Sequence, residues 1–156
     1  MSAVPALQLR DARPGDLAEI WAIEAAVFGN EAWSLALMEE ELAAKHRTYL
    51  VLADASDAVQ GYAGLLAVGS EGDIQTIAVA PGHRGTGQGR RLIEALLERA
   101  RAKGVREIFL EVRADNPVAR ALYTSLSFDE IGVRPHYYQP DNVDAVVMKK
   151  QLKDHS

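Results

Sequence analysis

The stretch DIQTIAVAPGHRGTGQGRRLIEALLERARAKG, residues 73–104, constrains this chain more than any other. Its opening DIQTIAVA reads as a strand. Its closing GRRLIEALLERARAKG reads as a helix with Leu92, Ile93, Leu96, Leu97 and Ala100 on one face, arginines on the other and Gly104 as the stop. Between them, RGTGQG sets glycine at alternate positions, which a chain needs where its backbone turns tightly or comes close to something. Strand, glycine-rich loop and helix start together aim several backbone amides and the positive end of a helix at one point. That is an anion site, most often for phosphate; the rival reading is a flexible surface loop.

Two familiar phosphate loops fail on spacing. A nucleoside-triphosphate loop needs a lysine followed by serine or threonine, where this chain has Arg90 and Arg91. A dinucleotide loop needs G-x-G-x-x-G, but the residue three beyond Gly87 is Arg90, and the stretch lies in mid-chain instead of after the first strand.

The rest of the chain organises around this unit. LQLR (7–10) reads as a first strand and RPGDLAEIWAIEAAVF as a helix with Leu17, Ile20, Trp21 and Phe28 along its stripe, ending at Gly29 or Asn30. Ser34 caps a second helix, with Leu35, Met38 and Leu42 on its apolar edge and Glu39, Glu40 and Glu41 as a solvated face. RTYLVLAD and AVQGYAGLLAV form a hairpin about ASD, REIFLEV is a strand, and NPVARALYTSL is a helix capped by Asn116 with Pro117 at its first position. Two strands follow, near 127–134 and 143–152. The expected fold class is α/β in the α+β sense: a single domain over 1–156 with one mixed, mostly antiparallel central sheet flanked by about four helices.

Composition sets the outer limits. At 156 residues and 17.0 kDa the chain is of single-domain length, with no cysteine for a disulfide or thiolate. A net charge of -5 argues against a nucleic-acid partner and suits a cationic substrate. No window approaches the roughly 20 apolar residues of a membrane span, so a cytoplasmic location without a membrane partner is expected. His46, His83, His136 and His155 show no ligand spacing, so no metal is expected.

The pattern that does match is R-x-x-G-x-G, with Arg84, Gly87 and Gly89 in place between a strand ending IAV and a long amphipathic helix. It resembles the acetyl-coenzyme A loop of the GNAT acetyltransferase superfamily. The resemblance implies acetyl-CoA as cosubstrate. Its diphosphate would lie on the amides of Arg84, Gly85, Thr86, Gly87, Gln88, Gly89 and Arg90, and its pantetheine arm along Ile77, Ala78 and Val79. A diphosphate suits fixed amides, and an amide-bearing chain suits an open strand edge.

LEVRADNPVARALYTSLSF and RPHYYQPDNVDAVVMKK resemble the corresponding segments of bacterial ribosomal-protein alanine N-acetyltransferases of the RimI type, and NEAWS is similar to their Trp-Ser element. Glu111 faces away from Ile108, Leu110 and Val112. Strand position alone leaves it exposed, paired with Arg113, or employed; the resemblance implies a general base. Tyr123 is core filling or, by the resemblance, the acid that protonates the departing thiolate. Asn116 would contact the coenzyme as well as cap its helix. Trp33, Tyr137 and Tyr138 would line the acceptor slot, with packing beneath the loop the rival for one of the tyrosines; Glu31 and Asp144 are further substrate-side candidates. Ser127 replaces the glycine common in L-G-F.

The acceptor so implied is a protein N-terminal α-amine, with an alanine-starting small-subunit ribosomal protein as the partner. An α-amine, with a pKa of about 7.7–8.0 against about 10.4 for lysine, is the easier nucleophile. The alternatives are a small-molecule amine acceptor and a non-catalytic acyl-CoA-binding module.

Overall fold

The computed structural model describes residues 6–152. In chain order its elements are β1 (Gln8–Asp11), α1 (Leu17–Phe28), α2 (Leu35–Ala43), β2 (Arg47–Ala53), β3 (Val59–Val68), β4 (Glu71–Val79), α3 (Gln88–Ala102), β5 (Glu107–Arg113), α4 (Pro117–Ser125), β6 (Asp129–Tyr138) and β7 (Val143–Gln151), with three short 3-10 turns between them. The seven strands form one sheet in the order β1-β2-β3-β4-β5-β7-β6. Every neighbouring pair is antiparallel except β4 and β5.

Two apolar layers cover the sheet. On one face, Leu92, Ile93, Leu96, Leu97 and Ala100 of α3 pack with Leu50, Leu52, Leu65, Ile108, Leu110, Val112 and Tyr123. Each such aliphatic side chain contributes roughly 1.5–3 kcal/mol on burial. On the other face, Ile20 and Ile23 of α1 and Met38 of α2 meet Val51, Val59, Tyr62 and Ala78.

Three particulars depart from expectation. The inward side of α1 is Ile20, Ile23 and Glu24, at helical i, i+3, i+4 spacing, while Trp21 and Phe28 are half-buried at its flank. Leu35 is 45% exposed, because α2 turns only Met38 and Leu42 inward. Glu41 is no part of a solvated face: it closes a 2.6 Å ion pair with Arg47 at the start of β2.

One irregularity in β4 shapes everything near it. Gly64 pairs with Thr76, but the next residue, Leu65, pairs with Ile74, so Gln75 is an extra residue in the β4 ladder. A bulge of one residue reverses the inside–outside alternation beyond it. Ile74 therefore joins the α3 layer, whereas Ala78 joins the α1 and α2 layer and Ile77 and Val79 pack towards α3.

Candidate active site

Strands β4 and β5 stay in register for three pairs only, Glu71 with Glu107, Gly72 with Ile108 and Asp73 with Phe109. Beyond Asp73 they part, although β4 runs to Val79 and β5 to Arg113. The β4 backbone from Ile74 to Val79 is paired on its β3 side alone, which leaves the edge carrying Ile77, Ala78 and Val79 open towards β5. The loop to α3 begins where this edge ends. Gly85 and Gly87 have φ of +75° and +81°, in the left-handed region that glycine tolerates, and both are exposed. Helices α2 and α4 begin on the capping side chains of Ser34 and Asn116, but the N-cap of α3 is Gly87, which has none to offer. The first amides of α3 are thus free donors at the positive helix end. Beside them, the buried Oε1 of Gln88 and Nδ1 of His83 have no hydrogen-bond partner among the described residues. Arg84 is exposed and reaches back to the Val79 carbonyl, while Thr86 donates to the His83 carbonyl at 2.6 Å.

On the α1 and α2 face, the opening leads into a groove of about 980 Å³. One wall is the segment between α1 and α2, with Asn30, Glu31 and Trp33; the other is Tyr137, Tyr138 and Gln139; the floor includes Asp73, Gln75, Phe109 and Glu111. Tyr137 and Tyr138 stand edge to face with ring centres 5.1 Å apart, and both reach the groove. A wide irregularity in the β6 and β7 pairing between Arg134 and Tyr138 presents them, and Asp144 holds it by accepting from the His136 amide at 2.9 Å. Asp144 thus supports the wall and does not itself line the groove.

Glu111 sits on the groove side of β5, partly buried, with Arg134 at 3.3 Å. The expected partner Arg113 is engaged elsewhere: it binds Glu31, Asp115 and Asp141 and lies over the Tyr138 ring, so the walls close around it. Polar contact with the Glu111 carboxylate and then burial raise the Tyr137 hydroxyl above its ordinary value. Burial, then the charges of Glu111 and Glu71, hold the Asp73 carboxyl above the usual carboxylate range.

Tyr123 belongs to the opposite face. It is 6% exposed, packed among Leu110, Val112 and Phe128, and its hydroxyl has no hydrogen-bond partner among the described residues. Burial pushes its pKa up to about 12, so the phenol keeps its proton. Glu111 and Tyr123 therefore lie on opposite sides of the sheet, and the parting of β4 from β5 is the opening that can connect them.

Residues 16–128 match the acetyltransferase (GNAT) family. The chain belongs to that family. It is 40% identical over 139 residues to the N-alpha-acetyltransferase RimI of Mycobacterium tuberculosis, covering 86% of this chain and 85% of that one. An uncharacterized protein of Mycobacterium leprae is 41% identical over 145 residues; the match covers 90% of this chain and 39% of that protein, so the chain spans well under half of that relative's length. The crystal structure of the ribosomal-protein-S18-alanine N-acetyltransferase from Escherichia coli superposes with a TM-score of 0.88 at 28% identity, covering 96% of each chain. The mixed, mostly antiparallel seven-stranded sheet with four helices is the GNAT fold.

Within this GNAT domain, Ser127 is more than a sequence variation. It has φ +70° and terminates α4: its amide donates to the Thr124 carbonyl, the Phe128 amide donates to the Tyr123 carbonyl, and the Phe128 and Tyr123 rings meet at 5.8 Å. This is the paired-bond C-terminal cap that favours glycine, built here on a residue with a Cβ. Ser127→Gly should stabilise the protein by about 0.5–1 kcal/mol, since left-handed strain outweighs the added chain entropy. Calorimetry should register a melting point higher by roughly 2 °C, with turnover unchanged.

Of the histidines, His46 and His136 are exposed at positive φ, His83 is half-buried, and His155 lies outside the described residues. Sequence reasoning missed Arg134 as the partner of Glu111, and it missed the buried carboxylate of Glu24. The latter left a signal, since Glu24 falls on the same helical stripe as Ile20 and Ile23.

Proposed function

We propose that the protein transfers an acetyl group from acetyl-CoA to the N-terminal α-amine of a protein, with an alanine-starting small-subunit ribosomal protein as its acceptor. The observation that carries this reading is the opening between β4 and β5, which joins the free amides and open edge on the coenzyme side to a peptide-sized groove holding Glu111. The names of the Mycobacterium tuberculosis and Escherichia coli relatives support the choice of acceptor.

The residues present fit coenzyme A. The amides from Gly85 to Arg90 offer the diphosphate a cluster of donors that need no reorganisation. Arg84 adds a positive charge, and Asn116 keeps its amide nitrogen available while its oxygen caps α4 through the Ala119 amide. The edge at Ile77, Ala78 and Val79 suits the amides of the pantetheine arm. Bound in this way, the coenzyme supplies the activated thioester.

The chain's own groups then do the remaining work. Glu111, directly or through a water, accepts the proton of the acceptor ammonium, and the amine nitrogen becomes free to bond to the acetyl carbon. A backbone N–H near Val79 donates to the carbonyl oxygen as it gains charge. Tyr123 gives its phenolic proton to the sulfur as the C–S bond breaks, the acceptor nitrogen loses its second proton to solvent as the amide forms, and solvent returns a proton to the phenolate. Trp33, Tyr137 and Tyr138 limit the first residue to a small side chain. The acetyl group passes directly from the thioester to the amine.

Incubation of a tryptic-ready ribosomal protein mixture with the enzyme and acetyl-CoA, followed by mass spectrometry of N-terminal peptides, should find acetyl groups on alanine-starting termini. Label confined to lysine side chains or to free polyamines would overturn the assignment of the acceptor.

A further inference from the structure

Glu24 is 2% exposed in the middle of α1, on the sheet face that carries the groove. Its carboxylate has no cationic partner among the described residues; it accepts from neutral donors only. Oε1 takes the Tyr62 hydroxyl in a short hydrogen bond and the Thr76 hydroxyl at 3.2 Å. Oε2 takes the backbone amide of Trp33 at 2.9 Å. A buried carboxylate without a counter-ion is a costly way to join secondary structures that apolar side chains could join as well. What apolar side chains could not do is fix the position of one particular backbone amide.

The partners explain the choice. Thr76 follows the bulged Gln75, and Gln75 is in the floor of the groove. Trp33 is in its wall, and the Trp33 carbonyl is held in turn by the Trp21 indole at 3.0 Å. The carboxylate therefore spans from the place where β4 changes register to the segment between α1 and α2. We propose that Glu24 is a positioning residue for the acceptor: it sets the distance between the Trp33 wall and the β4 floor, and with it the fit of the incoming N-terminus. This rests on the reading of the groove as the acceptor site. The coenzyme loop shares none of these bonds, so the effect falls on one substrate alone.

Glu24→Ala should raise the KM for an alanine-starting peptide at least about tenfold, leaving kcat and the coenzyme A Kd from calorimetry within about twofold. Glu24→Gln can turn its oxygen to the Trp33 amide and its nitrogen to the two hydroxyls, which are able to accept, and should restore KM to within about threefold of the parent. Trp21 and Trp33 are the only tryptophans in the chain, so intrinsic emission reports on this junction directly. It should shift in Glu24→Ala and return in Glu24→Gln. If Glu24→Ala does not fold, Thr76→Val removes one bond and should still raise KM several-fold. A fall in kcat at constant KM, an equal loss of coenzyme and acceptor binding, or an unchanged KM in a folded variant would each overturn the proposal. Failure of the parent enzyme to acetylate any peptide would count against the acceptor assignment instead, and the emission of the variants would still test the placement of the wall.

Discussion

Glu111→Gln should lower kcat/KM for an alanine-starting peptide at pH 7 by about 10- to 100-fold while coenzyme A binds as before. General-base assistance is commonly worth 10²–10⁴, and an α-amine needs the lower part of that range because roughly a tenth or more of it is already neutral at pH 7. The same reasoning fixes the pH dependence. As pH rises past the amine pKa of about 8, the acceptor arrives without its proton, so the gap between parent and variant should narrow towards pH 9. The substitution keeps the size of the side chain and removes its charge beside Arg134 and Tyr137, both of which stand at the groove. A parallel drop at every pH would assign Glu111 to placing the acceptor, and an undiminished rate would remove it from the chemistry.

Tyr123→Phe should cost at least about tenfold in kcat, with the coenzyme affinity and the melting temperature nearly intact. The separation of activity from stability follows from the surroundings. The ring is buried against Phe128, Leu110 and Val112, all of which a phenylalanine would still meet. Among the described residues the hydroxyl has no partner to leave unsatisfied, so its removal spares the fold. With its pKa raised to about 12 by burial, the phenol is protonated throughout any practical assay range, and the parent enzyme should show no alkaline loss of kcat attributable to it. Burst measurements of free thiol release would locate the defect in the acyl-transfer step. Full activity in the phenylalanine variant would return Tyr123 to a packing role.

Most of the fold was legible because its signals are local. The stripe of Leu92, Ile93, Leu96, Leu97 and Ala100 specifies α3, Ser34 and Asn116 announce their caps, and the alternation of Ile108, Leu110 and Val112 correctly places Glu111 on the opposite face. What escaped is non-local. The partner of Glu111 is Arg134, twenty-three positions on, because Arg113 is drawn away by three carboxylates from three different segments. The bulge at Gln75 shows in the sequence only as Ile74 and Ile77 standing three apart on a strand where side chains of one face recur every two. Glu24 reads as one charge among many in a helix until Tyr62, Thr76 and Trp33 are brought to it from distant parts of the chain. Assignment of the coenzyme and acceptor residues drew on the family resemblance more than on any spacing.

The brevity of the parallel ladder has a thermodynamic corollary. Four strands on one side and three on the other are stitched by only three residue pairs, and the main-chain groups past that seam are left to solvent. A guest that inserts there as a temporary strand completes the hydrogen bonding of the host and draws the two parts into one unit. Folding and saturation then become linked equilibria, and with the coenzyme site proposed above the resistance of this protein to unfolding should rise with the concentration of acyl donor.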